Sequence, residues 1–288
     1  MSSLNLEEEV VKVKGLTYTY PGNIKPTLDN VYFKVRKGEF ILICGPSGCG
    51  KTTLCRCLVG LIPHFYGGKF EGKVEVAGLD VSKHSVREIA QHVGFVGQNP
   101  ESQLFSFTVE GEIAFGVTNL GLPLDEIKHR INWVLNLLNL KDLRERSLKE
   151  LSAGEKQKVV LACTLAMTPK ILVLDEPTSL LDSFSAKSLI NTLVEINRKF
   201  RITVIIVEHK LNLLLNYVNR VLIVSKDGRI IADDNPRRIF SKKELTNIGL
   251  NIPKIIKLHQ ELVEEGLLNY PISLTVEELA GRLRRIIS

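Results

Sequence analysis

Apolar and polar residues alternate with a period of two at Val10 to Val13 and again at Val31 to Val35, with a turn signal at Pro21, Gly22 and Asn23 between them. That period puts successive side chains on opposite faces, so both stretches are expected to be short strands. Phe40 to Cys44 is apolar without interruption and ends in glycine, the pattern of a parallel strand buried on both faces. A helix is expected from about Gly50 to Leu61, with short strands at Val74 to Val76 and Val93 to Val96. Apolar residues then recur at helical spacing, first Val109, Ile113, Ala114 and Val117, then Ile127, Ile131, Val134, Leu135 and Leu138. Pro123 and Asp125 separate these two helices. Beyond them the chain alternates: helix Gly154 to Met167, strand Ile171 to Leu174, helix Ser183 to Lys199, strand Thr203 to Val207, helix Leu211 to Val218, strand Val221 to Val224.

Repeated strand–helix–strand units imply an α/β fold whose parallel sheet is covered on both faces. After about Asp234 the texture changes. Pro236, Pro253 and Pro271 punctuate the chain, and two amphipathic helices are expected near Lys254 to Glu265 and Val276 to Ile287. The expected organisation is one domain over residues 1–234 and a small helical appendage over 235–288.

With 288 residues and 44% hydrophobic content, the chain can bury a large core, and a charged fraction of 24% gives no sign of disorder. The formal net charge of +6 is spread along the chain and suits a solvated surface, so no nucleic-acid partner is expected. The five cysteines are odd in number and match no zinc spacing; they are expected to be buried thiols in a reducing compartment. Met1 to Val10 is too polar and acidic for a secretory signal. No apolar run approaches the roughly 18 residues needed to span a bilayer, so any membrane role is expected to be peripheral.

Three motifs carry chemistry. Gly45, Pro46, Ser47, Gly48, Cys49, Gly50, Lys51 and Thr52 form a glycine-rich phosphate loop between a buried strand and a helix. Glycines let consecutive N–H groups turn inward, and the helix adds its positive end. Lys51 supplies a point charge for the β- and γ-phosphates of ATP, and Thr52 a hydroxyl for Mg²⁺. The second motif is Asp175 and Glu176 at the end of a buried strand, where open parallel sheets bind ligands. Asp175 is expected to hold Mg²⁺ and Glu176 to polarise an attacking water. In the third, Leu151 to Gln157, Ser152 and Gly154 open a long helix.

That third motif resembles the LSGGQ signature of ATP-binding cassette (ABC) ATPases, with Ala153 in place of Gly and Glu155 in place of Gln. The resemblance covers Val11 to Asp234. It implies an ABC-type nucleotide-binding domain: a phosphate-loop core with a parallel sheet, an antiparallel β-subdomain, and a helical subdomain at about residues 100–168. Gln98 then looks like the glutamine that reaches Mg²⁺ and the water, and His209 like the histidine that contacts the γ-phosphate. Asp182 matches the loop that crosses to a partner subunit, and Tyr20 the aromatic that stacks on adenine. Residues Gly45 to Thr53 would hold the phosphates, while Ser152 and Gly154 would complete the site of a second ATPase subunit.

The segments Gln98 to Phe105 and Thr108 to Gly116 are similar to those of the energy-coupling factor (ECF) ATPases, which include the cobalt-transporter type. So are Pro236 to Phe240, Leu250 to Pro253 and Leu274 to Leu279. Gly97 departs from that pattern, since family members usually carry a bulky aromatic there. The resemblance implies an ATPase at the cytoplasmic face of the membrane, energising uptake of a vitamin or metal ion. It would work with a transmembrane coupling subunit and a substrate-binding membrane subunit, pairing with an identical or paralogous ATPase, with the tail expected to serve dimerisation. Glu101, Glu110 and Glu112 around Phe105 to Phe107 suggest a docking surface. The alternative is a soluble ABC ATPase acting on DNA or ribosomes; the chain lacks the coiled-coil insertion of the former and the second cassette of the latter.

Overall fold

The chain begins by pairing two amphipathic strands. In β1 (Glu9–Thr19) Val11, Val13, Leu16 and Tyr18 point inward, and in β2 (Leu28–Arg36) Val31, Phe33 and Val35 do, with lysines turned outward between them. The computed structural model describes residues 8–242, 244 and 249–287. The amino-terminal stretch expected to be polar and acidic lies outside these up to Glu7, as does Ser288.

Next come β3 (Phe40–Cys44), α1 (Lys51–Leu58), the short α2 (Leu61–His64), β4 (Lys69–Val76), β5 (Leu79–Asp80), α3 (Val86–Ala90) and β6 (Val93–Val96). A helical region follows with α4 (Val109–Thr118), α5 (Leu124–Leu137) and α6 (Ala153–Ala166). The chain then forms β7 (Ile171–Asp175), α7 (Ser183–Phe200), β8 (Thr203–Val207), β9 (Arg220–Val224) and β10 (Ile230–Asp234). It ends with α8 (Pro236–Phe240), α9 (Lys254–Glu264) and α10 (Val276–Ile287).

Two sheets result. The antiparallel one runs β2-β1-β4-β5, and the other runs β10-β9-β3-β8-β7-β6, parallel except for the β10–β9 pairing. The core strands are apolar throughout because both faces are covered, and their period of two sorts them cleanly. Leu42, Leu172, Leu174, Val204, Ile206, Val221 and Ile223 join the core shared with α4 to α7. Ile41, Ile43, Ile171, Val173, Ile205, Val207, Leu222 and Val224 join the core shared with α1 and the antiparallel sheet.

Several expectations need correction. The helix expected from Gly50 to Leu61 stops at Leu58, because Gly60 turns with φ +74° and a new short helix begins. Leu211 to Val218 is not a helix. It is a single 3-10 turn at Leu211–Leu213 followed by turns, closed by Asn219, whose side chain and backbone both bond Phe40. The first strands are longer than expected, while α3 and the edge strand β10, a mixed Ile-Ile-Ala-Asp-Asp run, carried no clear pattern.

The tail packs onto the domain. Phe240, Ile252, Ile256, Ile272 and Leu274 belong to the same continuous core as α4 to α7, and Arg237 of α8 pairs with Glu278 of α10. Against the same core, Trp133 of α5 meets Phe200 of α7 edge-on, ring centroids 5.4 Å apart. No described helix is long and apolar enough to cross a membrane.

Candidate nucleotide site

The phosphate loop begins where β3 leaves the sheet. Gly45 passes so close to Val224 that a Cβ would lie 2.3 Å from its carbonyl oxygen, which excludes any larger residue. Gly50, with φ +97°, turns the chain into α1 as its N-cap; no side chain caps this end and no acid sits in its first turn. Free N–H groups at a helix start make an anion site. Lys51 is 5% exposed, and its Nζ donates to the carbonyls of Gly45 at 3.0 Å and Pro46 at 2.8 Å. Cys49 is buried under the loop, its Sγ 3.8 Å from Nζ, and burial raises its thiol pKa. All five cysteines are free, burial pushes that of Cys44 up to about 12, and no metal-holding cluster of His, Cys, Asp and Glu occurs among the described residues.

Beside the loop opens a cleft of about 430 Å³, lined by Thr27, Ser47, Gly48, Gly50, Lys51, Thr52, Thr53, Gln98, Glu176 and His209. Glu176 follows the last residue of β7 with φ +49°, a left-handed backbone that costs a residue with a Cβ about 1 kcal/mol or more. Its carboxylate stands between two partners: Gln98 Nε2 donates to Oε2 at 3.2 Å, and His209 Nε2 lies 2.9 Å from Oε1. Asp175 is 3% exposed, and its Oδ1 has no hydrogen-bond partner. Burial raises its pKa, a trend opposed by the Thr52 hydroxyl and reinforced by the charge of Glu176. An unpaired carboxylate oxygen beside a threonine hydroxyl, with a glutamine nearby, is a set of hard oxygen donors suited to Mg²⁺.

Ser152 and Gly154 are not in this cleft. They line a separate cavity with Glu155, Lys158, Leu181, Phe184 and Ser185. Ser152 caps α6, accepting from Glu155 N–H, while its own N–H and hydroxyl donate to the Glu155 carboxylate at 2.8 and 2.7 Å. This is a capping box built by the residue that departs from the signature. Asp182 caps α7, accepting from the N–H groups of Phe184 and Ser185.

Tyr20 lies beside the loop, half-buried, and outside the lining of the cleft. Its hydroxyl is 3.1 Å from Thr53 Oγ1 and accepts from Arg56, which also lies over the Tyr66 ring. Gly97 has a local explanation. Gln103 folds over it, accepting from Gly97 N–H at 2.6 Å and donating to Phe95, so a side chain at position 97 would crowd Gln103. Sequence reasoning missed Thr27, which lines the cleft and whose carbonyl abuts Gly50, and Arg56; neither sits in a motif, and only the folding of β2 and α1 together brings them in.

A buried phosphate loop ahead of a helix, with an acid pair at the end of β7, one strand removed from β3 in the same sheet, defines a phosphate-loop nucleotide hydrolase. The family profile described as ABC transporter matches residues 28–179, more than half of the chain. A Pyrococcus horikoshii protein bearing the name ABC transporter ATP-binding protein is 42% identical over 276 residues, covering 96% of each chain. The Bacillus subtilis protein YkoD, named for HMP/thiamine import, is 38% identical over 258 residues, which are 88% of this chain and 47% of that one. The structure resembles that of cbiO1 from Clostridium perfringens, described as part of the ABC transporter complex cbiONQ, with TM-score 0.74 and 32% identity over 88% of this chain and 99% of that one. It also resembles the ATP-binding cassette MJ0796 in a dimeric post-hydrolysis state, with TM-score 0.67 and 26% identity over 78% of this chain and 98% of that one. The chain belongs to the ABC transporter ATP-binding family and has its ATPase fold.

Proposed function

We propose that this chain is the ATP-hydrolysing subunit of an energy-coupling factor importer for a vitamin or a metal ion, acting in a dimer at the cytoplasmic face of the membrane. The observation that carries the hydrolytic part is Glu176, poised between Gln98 and His209 at the mouth of the phosphate cleft. Phosphoryl transfer needs positioning and charge stabilisation more than covalent chemistry. The loop N–H groups and Lys51 take the phosphates, with Tyr20 against the base. Glu176 orients or deprotonates the water, and His209 holds it in line with the γ-phosphate. Thr52, Asp175 and Gln98 would hold Mg²⁺, which when bound neutralises charge on the phosphates. Ser152 and Gly154 of one copy, beside Asp182, would close over the nucleotide of the other, so that ATP joins two subunits and hydrolysis releases them.

Similarity to cbiO1 and YkoD supports the importer reading, and so does an exposed apolar patch. Phe105 and Phe107 are 63% and 88% exposed, and Phe115 packs edge-on against Phe105. The acids around them differ from the expected exposed ring. Glu112 is buried and accepts from the N–H groups of Phe105 and Ser106, Glu110 pairs with Arg144, and Glu101 reaches Lys156. All three acids thus have partners within the chain, and Glu101, whose side chain stays 66% exposed beside Lys156, is the one open to a basic partner helix. The test is purification of the tagged chain from native membranes with mass spectrometry of what accompanies it. A transmembrane coupling protein and a substrate-binding membrane protein are expected, and Glu101→Lys should reduce their recovery. Recovery without membrane proteins, with turnover stimulated by DNA, would remove the importer reading.

A further inference from the structure

Three consecutive side chains at the end of β8 grip the segment that follows β7. Glu208 is 2% exposed, and its Oε1 accepts from both the N–H and the hydroxyl of Thr178, the former at 2.9 Å. Its Oε2 accepts from His209 N–H at 3.0 Å. His209 reaches Glu176. Lys210 then spans the turn, its Nζ donating to the carbonyl of Thr178 at 2.9 Å and that of Leu181 at 3.2 Å. Both oxygens of the buried Glu208 side chain are thereby satisfied, as a buried polar group requires. The turn from Thr178 to Leu181 is therefore tied at both ends to the residues flanking His209.

We propose that Glu208 and Lys210 are positioning residues that join the hydrolytic centre to the surface around Asp182. The path consists of direct contacts. Leu181, held by Lys210, precedes Asp182; Asp182 caps α7 through Ser185; and Ser185 lies against Gly154, where a Cβ would meet its Oγ at 3.3 Å. A shift of His209 on engaging the γ-phosphate pulls on Lys210 and so on the turn that carries Asp182. The proposal rests on the two-subunit reading above.

The test compares Glu176→Gln with Glu176→Gln/Lys210→Met and Glu176→Gln/Lys210→Arg in the full chain. Three quantities are read: affinity for a fluorescent ADP, amide exchange over residues 178–182, and the ATP concentration at which light scattering detects association. The Lys210→Met variant should keep ADP affinity within about twofold, exchange faster in the turn, and need at least about tenfold more ATP to associate; Lys210→Arg, which still spans two acceptors, should recover most of this. A purely structural loss would lower ADP affinity as well. Association of the Lys210→Met protein at the same ATP concentration as Glu176→Gln alone overturns the clamp while leaving the two-subunit reading intact. Failure of Glu176→Gln itself to associate overturns both, and is recognised because the reference protein already fails. Should Lys210→Met not fold, Glu208→Gln, of equal shape, is read by the same three measurements with the same outcomes.

Discussion

Two neighbouring carboxylates stand in opposite circumstances. Asp175 is sealed in at the strand end with an unpaired oxygen, and Glu176 is held in a left-handed backbone with its carboxylate spoken for on both sides. Both arrangements cost stability in the free protein, as groups kept for chemistry often do. A carboxyl whose folded pKa is raised stabilises the fold only while protonated, and that contribution is lost as pH rises through the folded value. Asp175→Asn should therefore raise the Tm of the nucleotide-free protein near pH 7, by an amount that shrinks as pH falls toward the ordinary carboxylate range of about 4, and should cut metal-dependent turnover. Scanning calorimetry at two pH values checks the first part and phosphate release the second. Glu176→Gln should retain ATP binding and lower turnover by about 10²–10⁴-fold, measured by phosphate release. Lys51→Ala should instead weaken nucleotide affinity itself, read by titration with a fluorescent nucleotide.

At the scale of elements, the start of α6 is where this chain departs from its family's signature. Glu155 completes a capping box with Ser152, and the hydrogen bonds from Ser152 hold its pKa below the usual range. Ser152→Ala should cost about 1 kcal/mol of stability, measured by denaturant unfolding. Glu155→Gln can keep the same box while removing a negative charge from the Ser152 and Gly154 surface proposed to meet the partner's nucleotide. It should let the Glu176→Gln protein associate at several-fold lower ATP, with no change in Tm beyond a degree or two.

These elements also show what the sequence could disclose. The core strands were legible because burial on both faces leaves them apolar from end to end, and Gly45 to Thr52 because its chemistry is contiguous. The turns after Leu211 imitated a helix because Leu211, Leu214, Leu215 and Val218 are buried at helical spacing without forming one. The strand β10 was hidden by its half-exposed edge position. Glu176 was legible from its place at the end of an apolar strand, whereas Gln98 and His209 were assigned by family resemblance; the three are far apart in the chain, and their meeting is a product of strand order. Glu208 and Lys210 gave no signal, since their partners lie some thirty residues away.

At the scale of the whole molecule, the tail shares its core with α4 to α7. Residues of the tail complete the core on one side of the parallel sheet; Phe240 and Ile256 are fully buried there, and Gly249 passes beside Pro46 of the phosphate loop. Burying a side chain of that size contributes about 1.5–3 kcal/mol, so a chain ending at Asp234 should unfold at markedly lower denaturant or aggregate. The intact chain should melt in one calorimetric transition; two well-separated transitions would show that the tail folds apart.

The edge-on pairing of Trp133 with Phe200 gives this seam an optical voice. The chain has one tryptophan, and it sits where α5 of the helical region meets the end of α7, on the side of the sheet away from α1. Its emission therefore reports on one joint alone, without a label and without absorbing where nucleotides do when excited at the red edge. A change in its quenching on adding ATP would report movement at that joint, in the same cuvette as turnover.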